Sequence, residues 1–254
     1  MPNLSLGGDR DAELGKISAE ELASMVAAHE VWLSSSGREG AKFDKPGANL
    51  IYGGLSAADL RFANLPGACL FNANLRESNF AHANLEKANL EGASMVNMNL
   101  EDALLAGAKL NKVVSPGANF ENTDLTHAEL RTTSLLGANF TRSQLRGADL
   151  SDANLAGATL RESALDDANL TDAKLMLVDF SDASLRGAVL TRAVFFGATL
   201  DRADLADADL SSVLGLTQDQ LATAYGNRGT RLPAAFAEYV MQEKPADGED
   251  SPAG

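Results

Sequence analysis

Ala63-Asn64-Leu65-Pro66-Gly67, answered in the same register by Ala83-Asn84-Leu85-Glu86-Lys87 and Ala148-Asp149-Leu150-Ser151-Asp152, holds the plan of the whole chain. A large apolar residue returns at every fifth position from Leu50 to Leu210, with Ser115 the one exception, and a small residue usually stands two places before it. A period of five fits neither the 3.6-residue helix nor plain strand alternation, which would turn every second large residue to solvent. The chain must bend once in each unit. Four short sides then close a square coil of about 20 residues, a period the phenylalanines support. Phe80, Phe120, Phe140 and Phe180 stand at unit centres separated by multiples of 20, and Phe195 alone falls elsewhere. Stacked, the four would share one wall and pack their rings on like residues.

In its A(D/N)LXX units the sequence from about residue 46 to 213 resembles the pentapeptide-repeat family. That resemblance implies an all-β solenoid, a right-handed quadrilateral β-helix. From Leu50 to Leu210 there is room for about eight 20-residue coils. At roughly 4.8 Å per coil the rod would be about 40 Å long. Departures from the pattern cluster at Met95, Met98, Val113 and Ser115, which predicts a local bulge.

The expected organisation is a flexible N-terminus over 1–17, a helix and lead-in over 18–45, the β-helix over 46–213, a helical cap over 214–244 and a disordered tail over 245–254. Ser18 and Glu21 are placed as a capping box with Ile17 and Leu22 as its staple, predicting a helix from about Ala19 to Leu33. Its apolar face includes His29 and Trp32, read as packing on the first coil, with a binding role as the alternative. Thr217 and Gln220 mark a second, short helix that Gly226 would end, and a third is expected from Pro233. On that third helix Phe236, Tyr239 and Val240 would share a face too small to stand alone. In the quinolone-resistance branch of the family the C-terminal end carries the dimer contact, so the resemblance implies a homodimer through these three residues.

Composition narrows the function. Against 35 Asp and Glu there are 21 Lys and Arg, a net charge of −14, which disfavours direct binding to nucleic acid or anionic membranes. One cysteine, Cys69, allows no internal disulfide, and the N-terminal residues show no signal-peptide pattern, so a cytoplasmic protein is expected. No apolar run is long enough to span a bilayer. His29, His82 and His127 are scattered, no nucleophile has a base beside it, and no glycine run spells a phosphate loop. Neither a catalytic, a cofactor nor a metal site is expected, and the chain is read as a non-enzyme.

The four walls differ. The wall centred on Leu55 through Phe195 carries only Arg76, Glu77 and Lys174, a net of +1, while the Leu50, Leu60 and Leu65 walls carry −2, −4 and −3. The same low-charge wall presents Val96, Val114, Pro116, Leu136, Met176, Leu177, Val194 and Phe196, a candidate apolar partner face unless a terminal helix covers it. The Leu60 wall is the most acidic, with Asp59, Glu101, Asp102, Glu121, Glu162, Asp179, Asp182 and Asp201. Three readings follow: an interaction scaffold for a protein partner, a DNA mimic that binds DNA gyrase or another type II topoisomerase and shields it from fluoroquinolones, and a self-assembling structural protein. The array resembles the loopless members of the quinolone-resistance branch, which brings the second reading. Its charge is dilute for that role, since about 40 Å of duplex carries roughly 24 negative charges, against a net −8 here from 21 acids and 13 bases.

Overall fold

The computed structural model describes residues 15–245; the first 14 residues and the tail beyond Pro245 lie outside it. From Asp44 to Leu214 the residue just before each unit centre pairs in parallel with its counterpart 20 residues on, as in Asn49 with Cys69 and Cys69 with Asn89. These are single bridges rather than long strands, because the chain turns again after each one. The turn is closed by a bond from the amide three residues after the centre to the centre's carbonyl, as from Ala83 to Phe80 at 3.0 Å. The second residue after each centre is left-handed, with φ between 52° and 64° at every non-glycine position from Tyr52 to Asp207. Asn, Asp and Gly are frequent there because their side chains tolerate that conformation best.

Residues 79–83 show how a unit satisfies every backbone donor. The amides of Asn79, Phe80 and His82 donate to Ala58, Asn99 and Glu101 in the neighbouring coils, and Ala83 donates within the turn. The remaining amide, Ala81, donates to Asn79 Oδ1 at 3.1 Å. Where Asn or Asp stands before the large residue, as at Asn79, Asn84, Asn99 and Asp149, it supplies the acceptor that the backbone lacks, a local side-chain bond of the Asx type. Along this wall the amide groups also join one another: Asn99, Asn119 and Asn139 each donate Nδ2 to Oδ1 of the Asn 20 residues earlier, at 3.1–3.2 Å.

Unit centres and their small partners fill the interior, and nearly all centres are fully buried. Phe120 lies on Phe140 with ring centroids 4.6 Å apart and planes 2° from parallel. The expected continuous ring ladder is thus confined to this adjacent pair, since Leu100 and Leu160 separate the other two; Phe180 instead meets Phe195 of the next wall. No bulge forms at Met95–Ser115. The bridges Ser94–Val114 and Val114–Ser134 keep the 20-residue register, and Met95, Met98, Val113 and Ser115 are all buried. The added bulk of Met98 and Val113 offsets the volume Ser115 lacks, while its hydroxyl reaches Met95 O.

Helix α1 spans Ala19–Ser34 and closes the N-terminal end, with Ser18 Oγ accepting the Glu21 amide at 3.1 Å. His29, on the inner face of this helix, is fully buried. Its Nδ1 accepts the Phe43 amide at 2.9 Å, which leaves the proton on Nε2 to be donated to Arg61 O at 3.0 Å. The ring also stacks on Trp32 at 5.4 Å. Both residues are therefore committed to packing. Residues 16 and 17, expected to belong to a flexible terminus, pair with the first coil through the Lys16–Asn49 bridge and the bond from Ile17 N to Asn49 O.

At the other end α2 is a five-residue helix, Gln218–Ala222, with the predicted Thr217–Gln220 capping box. Gln220 Nε2 donates to the carbonyls of Phe195 and Ala198, and Leu221 is buried. The helix stops before Gly226, which instead donates its amide to Gln242 O at 2.7 Å. The expected third α-helix does not form. Only a 3-10 turn, Ala234–Phe236, follows Pro233, because the Tyr225–Gln242 bridge draws the chain back in extended form over the last coil. The cap from 214 onward is consequently more extended chain than helix.

Candidate functional site

Three surfaces inherit the sequence expectations. The first is the apolar wall. Val114, Leu136, Met176, Leu177 and Phe196 are exposed, Val96, Pro116 and Val194 are half-buried, and neither α1 nor α2 covers the stripe. Bridges Ser94–Val114, Lys174–Val194 and Val194–Leu214 place these residues one above another. They also add Leu214, 56% exposed, which sequence reasoning missed because it stands where the repeat gives way to Gly215. Its signal was the 20-residue spacing to Val194.

The second is the acidic wall. Four of its eight carboxylates are bound to the four arginines of the same wall. Arg61 grips Asp59 with two bonds, at 2.9 and 2.7 Å, and Arg202 grips Asp182 with two at 2.6 Å. Arg161 meets Asp179 at 3.0 Å, and Arg142 pairs with Glu121. The Arg61 guanidinium holds Asp59 below the usual carboxylate range. Burial pushes Asp179 upward, but bonds from Ser181 and Arg161 outweigh it and hold this carboxyl low as well. His82 lies 3.4 Å from Asp102. Similar pairs cross coils on the Leu50 and Leu65 walls, including Arg192–Asp172 and Arg186–Asp204. Glu101, Glu162 and Asp201 face outward without an ion pair among the described residues. Half of the wall's carboxylates are thus neutralised on the spot, unlike a row of phosphates.

The third is the C-terminal trio. Phe236 and Tyr239 are half-buried and Val240 is 86% exposed, but with no helix beneath them they share no face. A groove of about 670 Å³ lies between α1 and residues 52–58. Alanines, glycines, Leu22, Val26 and Leu55 line most of it, with Lys16 and Glu30 among its polar groups. Among the described residues no group of His, Cys, Asp and Glu is arranged to hold a metal, and no helix is long and apolar enough to cross a membrane.

Three solved structures are similar to this chain. HetL of Nostoc sp. strain PCC 7120, a pentapeptide repeat protein involved in heterocyst differentiation regulation, is 27% identical over 80% of this chain and 97% of its own, with a TM-score of 0.37. A trypsin-treated variant of QnrB1, a plasmid-mediated fluoroquinolone resistance protein, is 18% identical over 68% of this chain and 91% of its own, also at 0.37. A pentapeptide repeat protein of the Arabidopsis thaliana thylakoid lumen is 25% identical over 54% of this chain and 74% of its own, at 0.16. No curated protein matches. The pentapeptide repeats family itself matches in eight copies between residues 47 and 211. With its units, their 20-residue register and that match in agreement, the chain belongs to the pentapeptide-repeat family, whose members form right-handed quadrilateral β-helices.

Proposed function

We propose that this protein is a non-enzymatic interaction scaffold, a rigid rod of about eight coils that offers its apolar wall to another protein in the cytoplasm. The observation that carries the reading is the exposed stripe from Val114 to Leu214, on the one wall without an ion pair among the described residues. A contiguous apolar strip of this kind marks an interaction surface more often than chance exposure does. The packed interior and a groove beside α1 lined mostly by apolar and small residues argue for binding over turnover. An unbridged Cys69 suits a reducing compartment.

Two variant sets test the reading. Leu136→Asp places a charge in the stripe, whereas Glu101→Gln, Glu162→Gln and Asp201→Asn together neutralise the unpaired acids of the Leu60 wall. Capture of proteins from native lysate should be lost in the first set and kept in the second, since a buried unpaired charge abolishes docking while rim charges mainly alter association rate. Gyrase supercoiling, run with and without a fluoroquinolone, should be unaffected by the wild type. Loss of capture in the amide set alone, or protection of gyrase that the amide set abolishes, would replace the scaffold reading with that of an acidic decoy.

A further inference from the structure

We infer that the occupant of the apolar wall is a second copy of this chain, the two rods lying side by side through the stripe. The inference rests on the scaffold reading above, in that it takes the same wall as the docking face, and it names the partner.

Charge selects the occupant. The chain carries a net −14, and three of its walls are negative, so two copies repel through any of them. A basic partner would be drawn to those acidic walls. The apolar wall alone, with Arg76, Glu77 and Lys174 as its only charges, lets a like-charged copy approach without that penalty. Lys174, the single charge in its upper half, has a long stem that can keep its ammonium at the rim.

Leu177 supplies a second, independent observation. It is left-handed, with φ 58°, at a turn position where Asn, Asp and glycine are frequent and where Leu177 is the one aliphatic side chain larger than alanine among the described residues. A leucine is ill suited to that backbone, and it is also 71% exposed. Nothing in the folding of the coil calls for it. Two glycines then shape the patch around it. A Cβ at Gly197 would lie 2.8 Å from Leu177 Cδ2, and one at Gly215 would lie 2.5 Å from the Phe196 ring. Each large side chain lies flat over the bare backbone of the next coil. The result is a level apolar strip through Met176, Leu177, Phe196 and Leu214, the flat and self-complementary surface that a two-fold contact requires.

Size sets the strength. The stripe from Val114 to Leu214 rises through five coils; at roughly 24 Å long and about 10 Å across it offers about a third of the roughly 800 Å² per partner found in standard stable complexes. The dimer should therefore be reversible, with a dissociation constant on the order of tens of micromolar.

Sedimentation velocity on the full chain from about 1 to 200 µM tests this range. The wild type should move from monomer toward dimer, and more readily at high salt, which screens the net charge. Leu177→Asp and Phe196→Asp should each remain monomeric throughout, a weakening of at least about tenfold, with thermal midpoints no lower than wild type for Leu177→Asp because aspartate suits the left-handed position. Val240→Asp, at the C-terminal trio, should dimerise like the wild type. A wild type that stays monomeric at the highest concentration, or one whose dimer is broken by Val240→Asp and not by Leu177→Asp, overturns the inference. Lysate capture that still depends on Leu136 in a monomeric wild type would leave the scaffold reading standing and remove only the second copy.

Discussion

Replacing His29 with alanine strips two buried backbone groups of their partner at once. The Phe43 amide and the Arg61 carbonyl both bond to the imidazole, at 2.9 and 3.0 Å, and neither can find another protein group there without moving α1. At about 1–3 kcal/mol for each orphaned group, the loss should be roughly 2–6 kcal/mol. It should fall on the attachment of α1 rather than on the coil stack, because stacked repeats sum local terms. Protonation is a gentler form of the same perturbation. Burial lowers the pKa of His29 from its ordinary 6.5, and Nδ1 cannot take a proton without surrendering the Phe43 amide. When α1 is released, the imidazole titrates at its ordinary value. The cap is thus fully stable above about pH 6.5 and loses stability as the pH falls below it, where the released state binds a proton that the docked state refuses. Trp32, the chain's sole tryptophan, stacks on the same ring and reports the event by fluorescence. Urea titrations followed at Trp32 should show an early transition whose midpoint drops between pH 7.5 and 5.5 in the wild type and is pH-independent in His29→Ala. A His29 resonance titrating at or above 6.5 in the folded protein would refute the reasoning.

Other positions give sharper stability readings. Phe140→Ala should destabilise the rod by about 3–5 kcal/mol in urea unfolding, as buried aromatic truncations do, and a double-mutant cycle with Phe120→Ala should show about 0.5–1.5 kcal/mol of coupling from the stacked pair; a loss under about 1 kcal/mol would mean the ring is not inside. Asn79→Ala orphans the Ala81 amide and removes the acceptor of Asn99, so a loss of about 1–3 kcal/mol is expected, with faster hydrogen exchange at Ala81 as the local check.

The coil was legible because its cause is repeated. Large residues five apart fix an inward side, and phenylalanines 20 apart fix the turn, and both reappear as burial and bridge register. What the sequence hid depends on neighbours brought together by the coil. Asn79 reads as a surface residue until its Oδ1 is seen to complete the unit's own hydrogen bonds. Arg142 reads as one charge among many, and only stacking brings it to Glu121, 21 residues away. The bulge foreseen at Ser115 failed because a deficit and an excess of volume within one coil cancel, which position-by-position matching does not register. Phe236, Tyr239 and Val240 do have helical spacing, but the pairing of Gly226 with Gln242 offers the backbone better partners than a short helix would.

The surface can be read by the same test that explains the core, which is whether each residue agrees with its local backbone. At the left-handed turn positions most do, as Asn, Asp or Gly, and several that do not have visible local compensation. Phe62 stacks on His82 with centroids 4.8 Å apart, and Tyr52 meets Phe71 edge-on beneath the Lys16 ammonium. Leu177 differs. It accepts an unfavourable conformation worth about 1–2 kcal/mol, leaves most of its surface in water, and lies over the bare face of Gly197 in the next coil. Natural chains break local rules mainly where function sets a competing demand. On a rod whose other walls pair many of their acids with arginines of the same wall yet stay negative, that exception points outward, toward a surface that this molecule does not itself supply.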